Sequence, residues 1–205
     1  INIQMQAVIG GEEYTFTDVL KLRVSDPAIA TKVLIDGTHY NAYVNGYYSG
    51  NMTNFINMGT AENIQVKIVQ PGEEITAETL EDVALFVISA PLKYTSDYTG
   101  DAQPSVFEDE FIQLVKDYVA GGGTVIVCGL ADYQDANSGL PYTTYEQVNN
   151  LLEGIGSTMR VNDDELIDTN ENGGQPYRLY FDDFNTESTD PAVQQVLEGV
   201  VDSGL

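Results

Sequence analysis

Three short apolar runs constrain this chain more than any other feature: Lys32-Val33-Leu34-Ile35-Asp36, Ala84-Leu85-Phe86-Val87-Ile88-Ser89 and Thr124-Val125-Ile126-Val127-Cys128. Each is shorter than a typical helix, rich in β-branched residues, and stopped by an acid, a proline or a glycine. That pattern reads as strands buried on both faces, as in a parallel sheet. Ile64 to Val69 is a fourth run of this kind, broken by Pro71-Gly72.

Helical patterns separate the strands. One is expected near Met52 to Met58 and a short one over Thr76 to Asp82. Ser105 and Glu108 have capping-box spacing, and Phe107, Phe111, Leu114, Val115 and Tyr118 then fall on one face at helical period. Gly121-Gly122-Gly123 closes that helix. A second capping box, Thr143 with Glu146, precedes the stripe Val148, Leu151, Leu152 and Ile155. Strands are also expected at Met159 to Val161 and Tyr177 to Phe181, and a last short helix at Val193 to Val200. Strand–helix alternation of this length requires crossover connections. The expected fold class is therefore α/β, a Rossmann/flavodoxin-like three-layer sandwich with a mostly parallel sheet.

The first residues behave differently. Two β-rich runs, Ile3 to Ile9 and Tyr14 to Val24, flank Gly10-Gly11 and read as a hairpin. Residues 1–29 are thus expected to be a short β-hairpin segment, either the end of a preceding β-sandwich domain or an edge extension of the main sheet. Residues 30–205 form the α/β domain. The chain opens within strand-like sequence and without an initiator Met, as a segment of a larger protein would.

Charge narrows the partners. Thirty-two acidic residues against eight basic ones give a net charge of −24. Such a surface repels nucleic-acid phosphate and anionic lipid, so neither nucleic acid nor a membrane is an expected partner. No stretch approaches the ~20 apolar residues of a membrane span. The single Cys128 excludes an internal disulfide and a cysteine-based zinc site. An acidic chain rich in Asn, Thr, Tyr and Gly suits an extracellular or cell-surface setting.

The run from Phe111 to Leu130, a helix ending in glycines, an apolar strand and then Cys128-Gly129, resembles the class I glutamine amidotransferase-like superfamily. Val33-Leu34-Ile35-Asp36-Gly37-Thr38-His39 and the stretch from Ile75 to Pro91 resemble non-catalytic relatives in large secreted bacterial proteins, where the first strand runs into an Asp-x-x-His turn. The resemblance covers roughly Thr31 to Val200. It implies an amidotransferase-like α/β domain with a cysteine on the turn after the strand. Catalytic members carry their His and acid after the nucleophile. Here the one histidine, His39, precedes Cys128, and Gly129-Leu130 replaces the expected elbow, so the resemblance implies a non-catalytic member.

Three constellations carry candidate chemistry. Ligands of open parallel sheets sit beyond the carboxyl ends of the strands, which singles out Asp36, His39, Tyr40, Tyr94 and Cys128 as ligand-binding candidates. Cys128 and His39 are the catalytic candidates, because an imidazole beside a thiol can generate a thiolate nucleophile; a buried Cys128, with His39 fixing its loop, is the plain alternative. Asp168, Asn170 and Asn172, followed by Gly173, match the start of an EF-hand-type calcium loop, although position twelve is Leu179 and Pro176 lies inside; a solvated loop of turn formers is the plain reading. Tyr40, Tyr43, Tyr47 and Tyr48, interleaved with Asn and Gly, suit a glycan or peptide ligand; an ordinary long surface loop beside the first strand is the plain reading. The expected function is a non-catalytic binding or structural module of a secreted multi-domain bacterial protein. Its partners would be other domains of that parent and a glycan, peptide or small molecule. The alternatives are a Cys–His hydrolase and an intracellular regulatory subunit.

Overall fold

The computed structural model describes residues 2–19, 26, 28–40, 44, 49–91, 105–129, 143–180 and 184–203. Two compact units divide the chain, one over residues 1–163 and one over 164–205.

In the first unit, β1 (Asn2–Ile9) and β2 (Glu12–Val19) form an antiparallel two-stranded sheet of their own. Gly10 and Gly11 sit at φ +64° and +90°, the two left-handed positions of a tight hairpin turn, which glycine adopts without a Cβ clash.

β3 (Thr31–Asp36), β4 (Ile64–Val69), β5 (Val83–Ser89) and β6 (Thr124–Cys128) make the expected parallel sheet, in the order β4-β3-β5-β6. The molecule is thus mixed α/β, with a four-stranded parallel sheet and a separate hairpin. Among the connections, α1 (Met52–Ala61) joins β3 to β4, α2 (Ala77–Leu80) joins β4 to β5, and α3 (Asp109–Ala120) lies between β5 and β6. The helix α4 (Thr144–Gly154) follows β6. A Cβ on Gly59 of α1 would press on the Val66 side chain, whereas Phe86 packs edge-on against Phe111 and Tyr118 of α3. Since Val66 and Phe86 have opposite parity in the paired register, helices cover both faces of the sheet.

The core follows from that parity. Leu34, Phe86, Ile88, Val115 and Leu151 are buried together, with Val125 and Val127 half-buried against them. Burying a side chain of this size contributes about 1.5–3 kcal/mol, so the α3–α4 face is where most of the unit's cohesion lies.

Helix ends mostly obey the sequence. Thr143 accepts from the Glu146 amide and Glu146 answers to the Thr143 amide, the expected capping box. After α3, Gly123 N–H reaches Tyr118 O and Gly122 N–H reaches Val119 O, with Gly122 at φ +95°, a glycine-dependent C-cap. The Ser105–Glu108 box is not formed. α3 starts at Asp109 with Glu108 as an N-cap that makes no side-chain bond, and Ser105 bonds elsewhere. Met159 to Val161 is irregular rather than a strand, because the Asn149 side chain pairs with both backbone groups of Val161 and takes the place of a neighbouring strand.

The second unit carries α5 (Pro191–Ser203), longer than the expected Val193–Val200 helix. Where a strand was expected from Tyr177, the described residues hold only a single bridge between Asn172 and Leu179. No helix among the described residues is long and apolar enough to cross a membrane.

Candidate functional site

β3 is where the strand order reverses: the chain steps from β3 to β4 on one side and then to β5 on the other. In open parallel sheets such a reversal is where ligands bind, in the crevice beyond the carboxyl ends of the strands. Asp36 is the last residue of β3 and its side chain is only 1% exposed.

A buried carboxyl group needs partners, and the next three residues supply them. Thr38 N–H donates to Asp36 Oδ1 at 2.8 Å, closing an Asx turn, and Thr38 Oγ1 donates to the same oxygen at 2.7 Å. His39 Nδ1 lies 2.5 Å from Asp36 Oδ2. Thr38 Oγ1 also sits 3.2 Å from that nitrogen. The acceptor on Asp36 draws the proton of a neutral ring to Nδ1, so Nε2 keeps its lone pair. Among the described residues Nε2 has no hydrogen-bond partner. Phe107 and Phe111 hold the ring, with centroids at 5.0 and 4.3 Å. Tyr40 follows at φ +30°, a strained value for a non-glycine residue.

The turn is fastened from behind. Ser105 Oγ donates to His39 O at 2.8 Å, and Phe107 N–H donates to Gln147 Oε1 of α4 at 3.1 Å. Gln147 is 4% exposed, and its Nε2 has no partner among the described residues. The segment carrying Ser105 and Phe107 thus links the β3 turn to α4. Thr38, Ser105 and Gln147 were not among the sequence candidates. Thr38 lies inside the Asp-x-x-His turn, the spacing of Ser105 points to a helix cap instead, and nothing in the sequence marks Gln147.

Asp36 and His39 therefore come together, with Tyr40 next in the chain, and Cys128 does not join them. Ser89 pairs with Cys128, Val87 with Ile126, and Ile35 with Val87, so Cys128 shares a sheet face with Ile35. Asp36, one residue on, belongs to the opposite face, with Ile88 and Val127. Cys128 also lies two strands away, about 10 Å at ordinary strand spacing. Cys128 is exposed as a residue, yet desolvation of its thiol pushes the pKa up, away from thiolate. Pro91 is buried just beyond β5. Tyr94, Tyr43, Tyr47 and Tyr48 lie outside the described residues.

In the second unit, the calcium candidates are committed to one another. Asp168 Oδ1 accepts from Asn170 N–H at 2.8 Å and Glu171 N–H at 3.0 Å, and these bonds hold the Asp168 carboxyl below its usual pKa. Asn172 Nδ2 donates to Asp168 O, and Asn172 Oδ1 accepts from Gly174 N–H. Position twelve, Leu179, forms the bridge with Asn172. Among the described residues no group of three or more His, Cys, Asp or Glu could hold a metal. With Asp168 Oδ1 and Asn172 Oδ1 engaged by the loop's own amides and Leu179 at position twelve, titrating calcium into chelator-stripped protein is expected to give no heat and no melting shift at millimolar metal. A saturable shift would show that the loop opens to bind.

No protein-family model matches the chain, and no curated protein matches it. The solved structure of the mmIFT52 N-terminal domain aligns with a TM-score of 0.44 and 18% identity, over 72% of this chain. The chain spans 53% of that structure's length.

Proposed function

We propose that this chain is a non-catalytic binding module of a larger secreted bacterial protein. In this reading it has a Rossmann/flavodoxin-like three-layer architecture akin to the amidotransferase-like superfamily. The sheet order and the helices on both faces support the architecture. The carrying observation is the Asp36–Thr38–His39 turn at the switch point. It fixes one imidazole by its Nδ1 and leaves Nε2 without a hydrogen-bond partner among the described residues. A glycan or peptide fits such a site, because its hydroxyl or amide can donate to Nε2. The acidic surface favours neither nucleic acid nor an anionic membrane as partner.

The oriented imidazole is also what a Cys–His hydrolase would need, so Cys128 decides between the readings. Alkylation of the folded protein is expected to follow a midpoint above the ordinary thiol value of ~8.5, because burial disfavours the thiolate. His39→Ala should leave that rate unchanged. A midpoint below ~7 that disappears in His39→Ala would overturn the module in favour of the hydrolase. The binding half is read at the same histidine, the only one in the chain. Oligosaccharides and short peptides should shift its imidazole resonances without being cleaved, and a panel that moves nothing at millimolar concentration removes the crevice as a binding site.

A further inference from the structure

Both polar contacts of the His39 ring among the described residues, to Asp36 Oδ2 and Thr38 Oγ1, are made at Nδ1. A ring anchored at one atom can still pivot about it. Two phenyl rings limit that pivot, Phe107 edge-on at 5.0 Å and Phe111 tilted at 4.3 Å. Phe111 lies inside α3, whose own hydrogen bonds fix its backbone. Phe107 lies ahead of α3, outside any regular element.

What fixes Phe107 comes from a side chain instead. Its N–H donates to Gln147 Oε1 at 3.1 Å, in a buried position and from 40 residues along the chain. Phe107 also stacks on Phe111 at 5.4 Å. Stacked rings accept a range of offsets, whereas a hydrogen bond is directional. The glutamine serves here by its oxygen, since its buried Nε2 has no partner among the described residues and is a cost. Ser105 Oγ ties the same segment to His39 O at 2.8 Å.

We propose that Gln147 is a positioning residue for His39. Acting through Phe107, it sets the pitch of the imidazole and with it the direction of Nε2. A contact that shifts the start of α4 would then retune His39 without touching it. The inference rests on the reading of His39 as the binding group.

The test reads the ring protons of His39, the only histidine, in the full chain. Ring currents from Phe107 and Phe111 displace these protons from their unfolded-chain positions. Gln147→Met has similar length and no acceptor for Phe107 N–H. It is expected to shift both ring-proton resonances while the proton stays on Nδ1. Gln147→Glu keeps an oxygen for that N–H and should leave the resonances near wild type. Leu152→Ala is the control for loosening α4: Leu152 is buried, and about 140° around the helix from Gln147. It should lower the melting temperature and leave His39 in place. Unmoved resonances in Gln147→Met would overturn the proposal, because Asp36 and Phe111 would then set the ring alone. Equal shifts in Leu152→Ala would overturn it by reducing Gln147 to general packing, and so would equal shifts in Gln147→Glu. No ligand is needed, so an oligosaccharide and peptide panel that fails to bind removes the crevice reading and leaves this result standing.

Discussion

Phe86→Ala is expected to cost about 3–5 kcal/mol, the range for emptying a fully buried aromatic site. Phe86 is 0% exposed in the middle of β5. Its ring meets Phe111 at 6.3 Å and Tyr118 at 6.2 Å, both edge-on, and its strand neighbours are Leu34 and Val125. Tyr118 cannot slide in to fill the gap, because its hydroxyl donates to Val83 O at 2.8 Å. At roughly 2–4 °C per kcal/mol for a chain of this size, thermal unfolding should fall by roughly 6–20 °C. Phe86→Leu retains most of the volume and should cost less than about 1.5 kcal/mol. Phe16→Ala on the ribbon removes a ring that is 46% exposed and should stay within about 0.5 kcal/mol. If Phe86→Ala proved as mild as Phe16→Ala, α3 would not pack on β5 as described.

Phe86 was visible as a core residue from the sequence, and the reason is physical. A central parallel strand is apolar on both faces, so Val83–Ser89 stands out whatever surrounds it, and the helix stripe Phe111, Leu114, Val115 and Tyr118 has one period to fit. The glycine rule placed the end of α3 and the capping box the start of α4 for the same local reasons. Tertiary choices broke the local rules. Ser105 had the right spacing to cap a helix, but His39 O lay within reach and took its hydroxyl. Met159 to Val161 had strand-like residues, but a strand needs a ladder and Asn149 supplied both hydrogen bonds from a side chain. The site was half legible. Asp36 and His39 stand three residues apart and meet through a local turn, whereas pairing His39 with Cys128 depended on strand order and on face parity, and neither is written in spacing.

Asp36→Ala is expected to destabilise the protein by about 3 kcal/mol, and the sum has identifiable parts. The substitution strands Thr38 N–H, Thr38 Oγ1–H and His39 Nδ1–H behind a residue that is 2% exposed, at roughly 1–3 kcal/mol for each donor that water cannot reach. Stability alone cannot separate a structural turn from a turn that aims a histidine, and Asp36→Asn does. Asparagine keeps an oxygen for Thr38 but presents its NH₂ to Nδ1, which must then accept. The ring proton is driven to Nε2, so that nitrogen changes from acceptor to donor. With one histidine in the chain, imidazole nitrogen NMR reads the tautomer without assignment. The wild type should show the Nδ1–H form and Asp36→Asn the Nε2–H form, with stability loss well below that of alanine. A ligand held through the Nε2 lone pair should then lose most of its affinity in a variant that is still folded. A wild-type ring in the Nε2–H form would mean that Asp36 does not orient His39, and the crevice would lose the feature that marks it as a site.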